Sequence, residues 1–240
     1  MSGRYTKSEI SGFSEFLDSL PVGVAGAGVH GKFIYLICEK EFSVWNTLGM
    51  AGSWKIEKDK HSRVQFHLSD GSSVFFNDIR NFGTLKFVKG KHFLIDKLNS
   101  LGPDMLNEDI ENDLFLSRIR MCKRKTVAQA IMDQSVISGV GNYLKAESLY
   151  ISKISPHRSC ESLSDQEIAT LNESIKKTIR ASYETGGATI STYSGFEGEI
   201  GEYSQRFLVY NQKTDPHGNS VIKEKTKDGR TTHWVPEVQR

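Results

Sequence analysis

The chain has 240 residues, with 31 Lys and Arg against 29 Asp and Glu, so its formal net charge is only +2. A hydrophobic content of 38% with 25% charged residues fits globular stock and excludes wholesale disorder, and no run approaches the ~18 apolar residues of a membrane span. Three scattered cysteines (Cys38, Cys122 and Cys160) with no CxxC exclude a disulfide scaffold and a Cys-ligated zinc ribbon. The first twenty residues carry Arg4, Lys7, Glu9, Glu15 and Asp18, which is not a signal peptide, so an intracellular protein of a reducing compartment is expected.

In chain order, Glu9–Leu20 is predicted to be a short helix closed by Pro21. Strands are predicted over Lys32–Cys38, Phe42–Asn46, Arg63–Leu68 and Ser73–Asn77, rich in aromatic and branched residues. Turn signals at Gly31, Gly49–Ser53 and Ser69-Asp70-Gly71 separate them, which suggests a sandwich or barrel. After Gly102-Pro103 the apolar rhythm becomes helical: one helix over Phe115–Met132, a second over Gly141–Tyr150 and a third over Ser164–Tyr183. The third opens on a capping box, Ser164 with Glu167, and ends at Gly186-Gly187. A glycine-rich link follows at Gly195–Gly201. The last thirty residues read as a hairpin, Ser220–Lys225 and Arg230–Val235, turning at Asp228-Gly229.

The small net charge hides a partition. Residues 104–113 hold five acids and no base, 118–145 hold six bases against Asp133, and 206–230 hold six bases against three acids. A polyanion-binding face looks like this, although any one cluster also fits a solvated helix face. The most specific stretch runs from Met132-Asp133-Gln134 through Gly139-Val140-Gly141-Asn142-Tyr143 and Ala146-Glu147-Ser148-Leu149 to Ile154-Ser155-Pro156-His157. A tight glycine turn opening a helix at Asn142 suits a phosphate clamp; a plain helical-hairpin turn is the alternative.

That run resembles the helix–two-turns–helix element of the formamidopyrimidine-DNA glycosylase / endonuclease VIII family. The likeness extends to Gly31-Lys32-Phe33, to the loop Asn46–Gly52, to Asn77-Asp78-Ile79-Arg80-Asn81-Phe82-Gly83 and to Leu101-Gly102-Pro103-Asp104. Phe207-Leu208-Val209-Tyr210 and Arg230-Thr231-Thr232-His233-Trp234 match in order as well. The resemblance implies an α+β chain with a β-sandwich domain over 1–103, a helix–two-turns–helix domain over 104–206 and a zincless finger hairpin over 207–240. It implies a monomeric base-excision repair enzyme that clamps damaged double-stranded DNA, removes oxidised bases and cleaves abasic sites, without a cofactor, in the nucleus or the nucleoid and cytoplasm.

It also assigns residues. Met50 fills the hole left by a flipped nucleotide, and Arg80 with Phe82 forms the wedge on the orphaned base. Lys32 lies near the abasic deoxyribose and assists β-elimination, Arg230 binds the phosphates flanking the lesion, and His61, with Arg63, touches the DNA backbone; Asn142 keeps the phosphate-holding role read from its own turn. Each has a plainer reading: Met50 as core filler, Phe82 as strand-end packing, Arg80 paired with Asp78, and Lys32 and Arg230 as solvated residues.

Two departures stand out. The finger region has no cysteine, and His217 and His233 leave a tetrahedral zinc site two ligands short, so no structural zinc is expected. The family begins Met-Pro-Glu-Gly-Pro-Glu and uses the proline amine as its nucleophile, whereas this sequence begins Met1-Ser2-Gly3-Arg4. Three readings follow: a start lying further upstream, a non-catalytic damaged-DNA-binding protein, or Lys32 as a substitute amine that leaves a weak abasic-site lyase; a Ser2 amine could do similar chemistry only if it reached the pocket. The damaged base is not legible, because the stretch from Thr189 to Glu202 is poorly patterned.

Overall fold

A computed structural model describes residues 1–6, 9–188 and 201–240. The glycine-rich link and the unpatterned stretch from Thr189 lie outside the described residues, save Gly201 and Glu202. The chain forms two compact units, one built on Met1–Asn99 and the other on Ser100–Gly187 with Glu202–Arg240. The architecture is α+β.

The first unit is a sandwich. One sheet takes the order β1-β2-β3-β7, from Val24–His30, Phe33–Cys38, Phe42–Thr47 and Thr84–Lys89. The other takes the order β4-β6-β5, from Gly52–Lys55, Ser73–Asp78 and Ser62–His67. All neighbouring strands are antiparallel. Phe42, Val44, Val64, Phe76, Leu85 and Phe87 fill the space between the sheets, joined by Tyr5, Ile10 and Phe16 from the N-terminal segment. The strands β1, β4 and β7 were not legible as strands. For β1 the cause is its glycines: the Tyr35 ring lies over Gly28, where a Cβ would come within 2.3 Å of it, so the position excludes the residues that mark a strand.

Helix α1 spans only Phe13–Asp18, shorter than the expected Glu9–Leu20. Ser11 accepts the Phe87 N–H at 2.9 Å, which ties the preceding residues to the sheet, and the helix starts after Gly12. Helix α2, Lys91–Asn99, was not anticipated; of its residues only Leu94 is buried.

In the second unit the expected single helix over Phe115–Met132 is two: α3, Asn112–Met121, and α4, Val127–Met132. The break has a local and a tertiary cause. Thr126 and Gln129 form a capping box that starts a new helix, and Lys125 and Val127 exchange backbone hydrogen bonds with Cys160 and Arg158. Helix α5, Asn142–Ile151, and helix α6, Asp165–Glu184, follow as expected, the latter capped by Ser164 and Glu167. Such a cap contributes about 1 kcal/mol. A core of Phe115, Ile119, Val127, Ile131, Leu149, Ile168, Leu171 and Ile175 binds these helices together.

The hairpin β8–β9, Ile222–Lys225 with Thr231–Trp234, turns through Gly229 at φ +77° and packs its second strand on α5. Among the described residues, no helix is long and apolar enough to cross a membrane.

Candidate nucleic-acid interface

Strand register gathers the first group of residues at one end of the sandwich. Ile34 pairs with Asn46, Thr47 with Thr84, Gly52 with Asp78 and Ser62 with Asn77. The loops carrying Lys32, Met50, His61 and Arg80–Phe82 therefore all leave from the same end. Lys32 sits exposed in the two-residue turn between His30 and Phe33. Ser2 lies at this end too, donating its N–H to the Arg63 carbonyl and its hydroxyl to Ser62.

Met50, Arg80 and Phe82 form one cluster. The Arg80 guanidinium lies 3.8 Å from the Met50 sulfur through Nη1 and 4.9 Å from the centre of the Phe82 ring. Met50 is 51% exposed and Phe82 55%, which removes the core-filler and strand-packing alternatives. The loops bearing them are locked together: Gly49 adopts φ +63°, and a Cβ there would come within 2.9 Å of the Phe82 carbonyl carbon.

Asp78 is fully buried and works on backbone. Its Oδ1 accepts the Arg80 N–H at 3.2 Å and its Oδ2 the Gly83 N–H at 2.6 Å. The expected alternative of an Arg80–Asp78 ion pair is replaced by this turn. Arg63 donates through Nε to the Asp78 carbonyl at 2.8 Å, so Arg63 braces the loop, and His61 precedes it with its N–H on Asp59.

The second group lies in the helical unit. Asn142 opens α5 and donates its side-chain N–H to the Thr231 carbonyl at 2.8 Å, while its Oδ1 is buried without a hydrogen-bond partner. Arg230 stands exposed at the hairpin tip. The tip is fastened to the helices by Gln129, which donates to the Lys227 carbonyl, and by Lys145, whose ammonium sits 2.5 Å from Asp228. A crevice of about 290 Å³ lined by Lys125, Gln129, Met132, Asp133, Lys227 and Asp228 flanks that junction.

Sequence reasoning missed Lys145, Asp228 and the role of Glu147. Glu147 is completely buried and its carboxylate accepts the N–H groups of Leu208, Val209 and Tyr210 at 2.8, 3.0 and 2.8 Å. Burial raises its pKa, against the lowering pull of those three donors. The quoted Ala146-Glu147-Ser148 motif held the signal: an acid inside an apolar helix needs donors from elsewhere.

Comparison with known proteins identifies the family. The formamidopyrimidine-DNA glycosylase N-terminal domain matches residues 11–85, its H2TH domain residues 101–194 and its C-terminal domain residues 199–240. The chain belongs to the formamidopyrimidine-DNA glycosylase family. It is 32% identical over 225 residues to the formamidopyrimidine-DNA glycosylase of Oceanobacillus iheyensis, covering 90% of this chain and 79% of that protein. The crystal structure of the MutM (Fpg) protein of Thermus thermophilus superposes with a TM-score of 0.81 at 27% identity, covering 90% of this chain and 82% of that one. A complex between the Lactococcus lactis Fpg and abasic-site-containing DNA gives a TM-score of 0.83 at 25% identity, covering 95% and 86%.

Within this family the hairpin of the present chain does not fit a zinc ion. His217 is exposed on a turn organised by Asp215, and His233 is buried against the Tyr210 ring, 4.9 Å away. Burial lowers the His233 pKa, and both its ring nitrogens lack a hydrogen-bond partner. Among the described residues, no three His, Cys, Asp or Glu side chains converge as a ligand set. Packing does the work instead: Val209 and Val235 are fully buried against Ala146 and Tyr150, and Asp215 gathers Tyr150, His217 and Asn219.

Proposed function

We propose that this chain is a base-excision repair glycosylase that acts on oxidised bases in double-stranded DNA, cleaves the abasic product as a lyase and works as a monomer. Family membership supports the repair role. The exposed Met50–Arg80–Phe82 cluster supports the nucleotide-flipping part, because it supplies what the gap left by a flipped nucleotide needs: apolar bulk for the gap and a guanidinium for the orphaned base. A side chain as apolar as Phe82, exposed on a turn fixed by a buried carboxylate, is built to be covered by something.

On this reading Lys32 serves β-elimination at the abasic deoxyribose, since it projects from the sandwich end that bears the cluster. In that step an amine condenses with the C1′ aldehyde, losing water to give an iminium. Loss of the C2′ proton then expels the 3′ phosphate. Arg230 and Asn142 hold the phosphates, and His61 adds a backbone contact. The basic runs at 118–145 and 206–230 supply salt-dependent affinity.

Borohydride trapping on a duplex with a single abasic site tests this. A covalent adduct mapped to the peptide bearing Lys32 or to the one bearing Ser2 identifies the amine. Retained preference for the abasic duplex without an adduct would instead leave a lesion-binding protein, and absence of both would overturn the reading.

A further inference from the structure

Lys145 has no exposed side-chain surface, yet it carries an ammonium. Such a group is retained only with a charged partner, and Asp228, whose side chain is 3% exposed, is that partner. The two are 83 residues apart, one on α5 and one at the hairpin tip. Asp228 uses its other oxygen on the tip itself: Oδ1 accepts the Thr226 hydroxyl at 2.5 Å and the Arg230 N–H at 3.3 Å. The Thr226 hydroxyl is in turn 2.6 Å from that of Thr232, and the Thr226 N–H donates to the Arg230 carbonyl at 3.0 Å. Both backbone groups of Arg230 are thus held by a network that ends on Lys145. Among the described residues, no ion pair holds the Arg230 guanidinium, which stands exposed.

We propose that Lys145 is a positioning residue: its buried pair with Asp228 anchors the hairpin tip to α5 and presents the Arg230 guanidinium to a DNA phosphate. Replacing a buried ion pair by apolar groups of similar size tends to leave stability unchanged or improved, so the pair is not explained by stability alone. Its partners explain it better. Every atom that Asp228 binds either belongs to the tip or fixes the tip to the helix. The charges of Lys145 and Asp228 also cancel locally, so the exposed charge of the tip is that of Lys227 and Arg230.

This inference rests on the DNA-binding role given to Arg230, and the test separates the two. The double variant Lys145→Met/Asp228→Leu removes the pair without stranding a buried charge. Thermal unfolding, amide hydrogen exchange across residues 226–231 and affinity for an abasic duplex are then measured beside wild type and Arg230→Ala. The expected result is an unchanged or higher Tm, at least tenfold faster exchange at the tip, and about a tenfold loss of affinity approaching that of Arg230→Ala. The variant Lys145→Arg, which keeps the charge, should recover part of that affinity. Tip exchange at the wild-type rate would overturn the inference whatever the affinity does. Faster exchange with wild-type affinity, while Arg230→Ala binds weakly, would overturn it as well. An Arg230→Ala variant that binds like wild type would overturn the role of Arg230, and with it the need for positioning.

Discussion

Two arginines in separate units are set up by the same local device and finished differently. In each case an aspartate two residues earlier, Asp78 or Asp228, accepts the arginine's own backbone N–H, at 3.2 Å for Arg80 and 3.3 Å for Arg230. In the sandwich the second carboxylate oxygen closes the same loop by taking the Gly83 N–H. In the helical unit it reaches another element through the ammonium of Lys145. The first design is self-contained and fixes a loop against itself. The second makes the geometry of an arginine depend on a helix far away in sequence. The turn therefore sets the direction of the backbone, and the second oxygen decides what it is referred to.

The sharpest break in that comparison is the single variant Lys145→Met. It leaves Asp228 buried without its counter-charge, and the expected cost is about 3–5 kcal/mol in urea unfolding. A cost below about 1 kcal/mol would mean that Asp228 turns outward to water and that the tip is not fixed. In the sandwich, Asp78→Ala strands the buried Gly83 N–H and should cost about 1–3 kcal/mol, with Arg80 and Phe82 losing their common frame. Equal losses for the two variants would erase the distinction drawn here.

A third carboxylate calibrates the pair. Hydrogen bonds from Arg158 and Ser164 hold Glu167 down to about 2 from the usual 4.5, although it is partly exposed. A carboxyl held low stabilises the fold fully above its unfolded value, and that contribution is lost as the pH falls from about 4.5 toward 2. Glu167→Gln should flatten this acid limb in a stability–pH series, and an unchanged limb would mean that the pairing is spent on solvent. The smallest stability effect belongs to Met50→Ala. Because the side chain is half exposed, unfolding should move by less than about 0.5 kcal/mol while affinity for an abasic duplex falls. A large loss of stability there would make Met50 a packing residue after all.

Much of this was legible, and the rest was hidden for physical reasons. The Ser164 capping box, the Asp228-Gly229 hairpin and the grouping of Met50, Arg80 and Phe82 follow from short-range signals or from quoted motifs. The Thr126 and Gln129 capping box was equally present in the sequence, but a continuous apolar rhythm over Phe115–Met132 masked it. Strand β1 was not legible because its glycines make room for the Tyr35 ring, information that belongs to a neighbouring strand. The Lys145–Asp228 pair was beyond reach, since nothing local says that a lysine in an exposed-looking helix start will be covered by a hairpin tip 83 residues on.

Glu147 adds an ordering in time. Its three N–H donors lie 61 to 63 residues downstream, so during synthesis the helix exists long before its acid has anything to bind. Until the segment around Val209 emerges, an acid destined for a dry interior remains in water, and closing that long loop is slow compared with forming local helix contacts. The helical unit is therefore unfinished when its own helices are complete. Its interior is sealed only once Leu208, Val209 and Tyr210 have been made, which ties the maturation of the helix bundle to the arrival of the segment leading into the finger.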